Sequence, residues 1–403
     1  MFKERIKTHH SAMGDGRKNM LGMATAGEIL RIENPADKKN ATIYIHVPFC
    51  NKICSFCNMR RSLQKPAENY ADLVVNEIKA YAEFEYIKST TFDAVYFGGG
   101  TPTTLPTESL CAILKALKEN FKFTENAEFT IETTVTELTE EKMDKIIACG
   151  VNRFSVGVQT FDDEGRKKMG RIGSGEKAYE RLKQLKSYKG VIVSMDLIYN
   201  YPEQTMESLN ADLDKIIELD LDGFSMYSLI NMKEATIDKA QGEENDKKMF
   251  FYIAEKMKRH GYRFLELTKM VKADGYKYIM NRHQGADTLP LGAGAGGSVN
   301  NLAMMNPIVL SEYEQSVNNI EAKQGMLFKP EYQEIVRFKG AVQTIHLPEN
   351  ESLYQDREAY EAFRDELLGN EMIEEVSEGK YMLTEKGIFW GNTISRRLAD
   401  MLN

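Results

Sequence analysis

Three of the chain's five cysteines, Cys50, Cys54 and Cys57, fall inside one short stretch, "IHVPFCNKICSFCNMRR". Thiolates bind iron and zinc tightly, and the CxxxCxxC spacing puts three of them on a single loop. A structural zinc ion wants four ligands, usually from two CxxC-like pairs. The other two cysteines are dispersed: Cys111 lies in "SLCAILKALKENF" and Cys149 in "KMDKIIACG". Both stretches are amphipathic helical patterns, and both cysteines read as small buried core residues. Three thiolates with no fourth suit a [4Fe–4S] cluster that leaves one iron open to a reactant. A zinc ion completed by His46 or another residue is the alternative.

Other groups with chemistry stand in separate places. "GGGTPT", Gly98 to Thr103, lets a backbone approach a ligand closely, with its N–H and C=O groups expected to be free to bind it. Glu132 in "FTIETT" offers a carboxylate to an ammonium or a ribose hydroxyl. Gln159 closes "SVGVQ", and Asp196 sits in "VSMDLIYNYP", where it can accept from ribose hydroxyls. Arg171 in "MGRIGSG" brings a guanidinium fork suited to a carboxylate. "LPLGAGAGGSVNN", residues 289–301, is a second glycine-rich element, but it is neither a phosphate-binding Walker loop nor a clean dinucleotide fingerprint. Each charged group taken alone also reads as a solvated rim residue.

These groups need a scaffold, and the chain supplies one pattern repeatedly. "ATIYIHV", "FDAVYFGGG", "AEFTIETT", "VNRFSVGVQT", "VIVSMDLIYN" and "DGFSMYSLI" read as strands. Helical stretches such as "ENYADLVVNEIKAYAEF" and "TMESLNADLDKIIELD" lie between them. The expected class is α/β: six βα units forming an open, partial (β/α)6 barrel, with active groups at the C-terminal ends of the strands. The candidate binding groups singled out above are expected to sit at such ends. Beyond residue 310 the texture changes to helix, short hairpin and helix. The 403 residues bear a net charge of -8 with a pI near 5.5, which disfavours a general nucleic-acid grip. No run approaches the ~18 apolar residues of a membrane span, and "MFKERIKTHH" has no apolar signal core, so a cytoplasmic location is expected.

"CNKICSFC" resembles the cluster motif of radical S-adenosylmethionine (radical SAM) enzymes. The longer "IYIHVPFCNKICSFC" and the later "YFGGGTPT" are similar to the branch containing oxygen-independent coproporphyrinogen III dehydrogenase, its heme-chaperone relatives and the anaerobic heme-opening methyltransferases. The resemblance runs from about residue 41 to the C-terminus. It implies a radical SAM barrel over 41–305, a C-terminal winged-helix-like α+β region over 306–403, and a leader over 1–40. It implies cluster ligation by Cys50, Cys54 and Cys57, and contacts to one or two SAM molecules from Tyr44, Phe56, Gly99, Gly100, Thr101, Glu132, Gln159, Arg171 and Asp196. The reaction so implied is reductive cleavage of SAM to a 5′-deoxyadenosyl radical, transfer of a SAM-derived methylene to heme, and opening of the ring to a linear tetrapyrrole with release of iron. A low-potential electron donor such as a flavodoxin is the implied partner.

Two departures bear on the substrate. The heme chaperones have an HN-x-x-YW-like segment where this chain reads "IMNRHQG", which counts against a chaperone. Relatives acting on coproporphyrinogen continue after the third cysteine with glycines, where this chain has Met59, Arg60 and Arg61. Arg60 and His283 are the substrate candidates, as partners of a propionate or, for His283, of heme iron. In the leader, His9, His10, Arg17 and Lys18 with Met13, Met20 and Met23 have the composition of a tetrapyrrole cap or of a disordered segment.

Overall fold

The computed structural model describes residues 2–7, 16–34, 41–230, 235–348, 354 and 356–402. His9, His10 and Met13 lie outside the described residues, as does the side chain of Arg17.

Six parallel strands form the centre, built from runs of β-branched and aromatic residues (in the last, of aromatics alone): β2 (Ala41–Val47), β3 (Thr91–Gly99), β4 (Lys122–Thr134), β5 (Arg153–Gln159), β6 (Ile192–Tyr199) and β7 (Gly223–Ser228). Amphipathic helices cross between them, so the six βα units expected from sequence are present. Period-2 alternation decides which side chains meet which solvent. On β2, Ile43, Ile45 and Val47 are fully buried against the helices, while Tyr44 and His46 point into the barrel.

The sheet extends at both edges. After β7, β8 (Arg263–Glu266) and β9 (Lys269–Val271) add antiparallel. On the other side β10 (Thr288–Leu291) lies parallel to β2, followed by antiparallel β11 (Gly296–Val299), β12 (Leu302–Met305), β13 (Gln324–Phe328) and β1 (Met20–Thr25), giving one sheet of 13 strands. Residues 20–25 of the expected leader are therefore an edge strand. Helices Tyr332–Gln343, Arg357–Gly369, Glu385–Phe389 and Gly391–Ala399 surround a hairpin of β14 (Ile373–Ser377) and β15 (Lys380–Leu383). Trp390 packs there on Phe2 and Phe389. Among the described residues no helix is long and apolar enough to cross a membrane.

One reading of the sequence is corrected here. Cys111 and Cys149 are not core residues: both are half-buried and bonded to each other, S–S 2.22 Å. Helices Thr107–Asn120 and Glu140–Ala148 turn Leu110, Ile113, Leu114, Met143 and Ile146 toward the sheet, which leaves the two cysteines on the flanks where the helices touch each other.

The end of the barrel at which the strands begin is closed. Arg153 is buried and grips Asp274 with two hydrogen bonds of 2.9 and 2.8 Å, and Lys269 reaches the same carboxylate at 3.1 Å. The backbone N–H groups of Lys277 and Tyr278 donate to Glu128, and the side chains of Lys277 and Asn281 reach Asp93. Tyr276 and Tyr278 then stack under Tyr96 and Tyr44 in the interior.

Candidate cofactor site at the strand ends

The cysteine loop follows β2 directly and is pinned at its base. Cys50 N–H donates to Ser62 O (2.9 Å) and Ser62 N–H donates to Pro48 O (2.7 Å). Within the loop, Cys57 N–H donates to Cys54 O, and Arg61 holds the Cys57 carbonyl at 2.6 Å. All three thiols are half-buried. Ser55 ties the loop to the next wall through Met169 O and Lys168 O, and Phe56 packs into a small cluster with Met169, Ile198, Tyr201 and Leu229. Burial pushes the Cys50 thiol up, opposed by its contact with Thr101 and reinforced by Cys57 and Cys54. Thiols so placed need a cationic centre before they ionise together.

Arg171 supplies the nearest positive charge: its Nη1 lies 3.1 Å from Cys54 Sγ and its Nη2 donates to Gly157 O. Its Nε is buried without a partner. The loop that presents it is organised by buried Arg166, which donates to the carbonyls of Val158, Thr160, Ile172 and Gly173. Arg166 is a residue the sequence reading missed.

The glycine loop works differently from expectation. Gly99 N–H donates to Glu132, Gly100 N–H to Val47 O and Thr101 N–H to Phe49 O. These N–H groups are engaged within the protein, so they are not free for a ligand. Side chains are excluded for steric reasons: a Cβ on Gly99 (φ +113°) would meet the His46 ring at 2.6 Å, and one on Gly100 would meet Phe49 O at 2.5 Å. The triplet therefore clasps the cysteine loop to β2. Gly292 and Gly294 of the second glycine-rich element, both at φ +85°, close over His46 from the other side, and Gly292 N–H donates to buried Glu77. That element is a strand-and-turn seal.

His46 is consumed by this packing. Its Nε2 must donate to Arg60 O (3.1 Å), so Nδ1 accepts from Tyr44 OH (2.9 Å). Burial lowers its pKa, consistent with a neutral ring. His46 thus has no nitrogen left to complete a zinc site. A four-iron cluster spreads its thiolates over separate corners and fits three thiols on one loop.

The opposite wall is acidic and polar. Glu132 on β4 accepts from Tyr96 OH (2.6 Å) and Gly99 N–H (3.2 Å). Burial raises its pKa to about 7, with the Tyr96 bond opposing and Asp196 reinforcing. Asp196 on β6 is also raised, by burial first, with Lys269 the strongest opposing influence. Gln159 sits at a bulge at the end of β5 with φ +74°, a strained conformation for glutamine, and its amide makes no hydrogen bond to a described residue. Such a conformation persists only where the surrounding structure over-determines it.

His283 is placed elsewhere. Its Nε2 pairs with Glu266 on β8 at 2.8 Å, and Gly340 of helix Tyr332–Gln343 packs on its carbonyl. Arg60 stays beside the cysteine loop, exposed, with Nη1 2.7 Å from Met305 Sδ.

The model of the Radical SAM superfamily matches residues 44–216. Anaerobilin synthase of Escherichia coli O157:H7 is 31% identical over 304 residues, covering 71% of this chain and 67% of that protein. Heme chaperone HemW of Lactococcus lactis subsp. lactis (strain IL1403) is 30% identical over 271 residues, covering 64% of this chain and 70% of that protein. Among solved structures, coproporphyrinogen III oxidase (HemN) from Escherichia coli superposes with a TM-score of 0.74 at 23% identity, over 89% of this chain and 90% of that one, and so shares its fold.

Proposed function

The chain belongs to the radical SAM superfamily, whose cofactors are a [4Fe–4S] cluster and SAM, and on that premise we propose that it is a radical SAM methyltransferase that opens heme without oxygen. The product is a linear tetrapyrrole, with the iron released. The observation that carries the choice of substrate is the identity shared with anaerobilin synthase across 71% of the chain. The "IMNRHQG" segment and the Met59-Arg60-Arg61 continuation are consistent with it.

Cys50, Cys54 and Cys57 hold the cluster. When bound, the cluster and SAM supply a one-electron cleavage that yields a 5′-deoxyadenosyl radical. The residues around them bind, orient and shield. Glu132 and Asp196 receive the ammonium or ribose hydroxyls of SAM, Gln159 offers its idle amide, and Arg171 neutralises Cys54 while its remaining Nε–H is left for a carboxylate. Tyr44 fixes His46 and, with Tyr96 and Tyr278, keeps water from the floor of the site. Arg60 takes a substrate carboxylate. His283, held by Glu266, takes no part. A second SAM provides the transferred carbon, and a low-potential one-electron donor of the flavodoxin type supplies electrons.

A heme chaperone is the second reading, favoured by the 30% identity to HemW. Anaerobic incubation of the reconstituted protein with heme, SAM and a strong reductant separates the two. Loss of the Soret band with a methylated linear tetrapyrrole by mass spectrometry is the expected result, absent in Cys54→Ala. An intact Soret band with tight heme binding and background deoxyadenosine selects the chaperone. Unchanged heme with no binding rejects both.

A further inference from the structure

The sheet extension beside the cysteine loop has an unusual exposed face. Residues paired directly across neighbouring strands share a face. The pairs Thr42–Thr288, Thr288–Ser298, Ser298–Ala303, Ala303–Met326 and Met326–Met23 run in one row from β2 through β10, β11, β12 and β13 to β1. Thr42 lies on the same face of β2 as Tyr44 and His46, and its hydroxyl bonds that of Thr288 at 3.0 Å. The row is therefore an outward continuation of the barrel's inner face. The reverse face is packed: Leu302 and Met304 are buried, and Tyr81 OH touches Met304 Sδ.

A sheet with one packed face normally presents polar residues on the other. Here the open face presents Met23, Met305 and Met326, which are 60%, 55% and 43% exposed. Thioethers are polarisable and stack well on flat π-systems. At the inner rim stands Arg60, three residues past Cys57, with its guanidinium on Met305 and its carbonyl on His46. The surface thus combines an apolar floor, about 10 Å across three strands, with a cation at the edge nearest the thiols.

We propose that this methionine face is the docking platform for the substrate, a flat apolar macrocycle with carboxylates at its rim. The assignment rests on the tetrapyrrole reading above and adds where the ring lies. The ring plane rests on Met23, Met305 and Met326, one carboxylate meets Arg60, and the leading edge projects toward the cysteine loop.

The test uses the reconstituted full chain and gallium protoporphyrin, a redox-inert probe, titrated by absorbance. Met23→Gln/Met326→Gln should weaken binding about tenfold or more. Val376→Gln, at an exposed apolar site on the distant hairpin, should leave it unchanged. Arg60→Ala should abolish the preference for the free acid over the dimethyl ester. In the parent protein, porphyrin should slow chloramine-T oxidation of Met23, Met305 and Met326 severalfold, read by peptide mass spectrometry. Binding by the parent with the double variant within twofold of it, or no protection of these methionines, overturns the platform and leaves the tetrapyrrole reading standing. Protection already present without porphyrin and lost on dilution assigns the face to a second copy and also overturns it. Failure of the parent to bind any porphyrin removes the tetrapyrrole reading and the platform with it.

Discussion

The two ends of the barrel both hold buried charge, but they treat it in opposite ways. Where the strands begin, Arg153, Lys269 and Asp274 satisfy one another, and Glu128 is taken up by the backbone of 277–278. Where the strands end, Glu132 and Asp196 share a wall and, among the described residues, no cation is bonded to either; Arg171 has a buried idle nitrogen, and Gln159 is strained with its amide unbonded to any described residue. The lower end is a plug whose charges are structural. The upper end is a set of half-made interactions, which on the function proposed above SAM, a cation bearing a carboxylate, completes. Burial of charge does not by itself distinguish structure from site; completeness of pairing does.

The comparison can be broken most forcefully at the plug. Asp274→Ala strands Arg153 and Lys269 together in the interior, and should destabilise the fold by about 3–5 kcal/mol. Thermal unfolding measures this, and a loss below about 1 kcal/mol would mean the plug is not a closed charge system. Glu132→Gln should act on the ligand instead. Its carboxyl titrates near 7 in the folded chain, so below that pH it is protonated and a poor partner for SAM's ammonium. SAM affinity in the parent should rise with pH through about 7 and then level off, by at most about tenfold per unit; the glutamine variant should bind weakly with no such rise. The same raised pKa has a stability consequence of opposite sense. The folded state holds the proton more tightly than the unfolded one, so this contribution is full at low pH and is lost as pH rises toward 7, and the variant should flatten that decline. The smallest effect is at Gln159. Glycine tolerates φ +74°, so Gln159→Gly should leave stability unchanged or raise it by up to about 1 kcal/mol, while SAM binding weakens. Calorimetry of both in one preparation would show whether strain there serves binding.

Five of the six barrel strands were legible as β-branched, aromatic runs ending in glycine or a polar turn, and β7 (GFSMYS) by its aromatics and its place after a helical pattern. The same runs place Glu132 and Gln159 at the ends of β4 and β5, whereas Asp196 lies within β6, three residues before its end. What escaped depends on partners distant in sequence. β10 is four residues, and nothing local says that it pairs with β2. The inward role of Tyr276 and Tyr278, the engagement of both His46 nitrogens and the Cys111–Cys149 bond each need two segments brought together. The methionine row needs five successive strand registers, and no single strand shows it. The glycine triplet was found, but its direction of bonding was not, because glycine announces close approach without saying whether ligand or protein does the approaching.

The pairing of Thr42 with Thr288 has a further consequence, for synthesis. The strand that leads into the cysteines can gain its neighbour β3 early, but its other edge stays open until residue 288 has been made. Throughout that interval the nascent chain exposes a Val- and Ile-rich edge, a site for wrong pairing with other chains. The seal at Gly292 and Gly294 also arrives only then. The thiols are thus on the chain long before the glycines that close over His46, so the packing beside the root of the cysteine loop is among the last parts of the barrel to be completed.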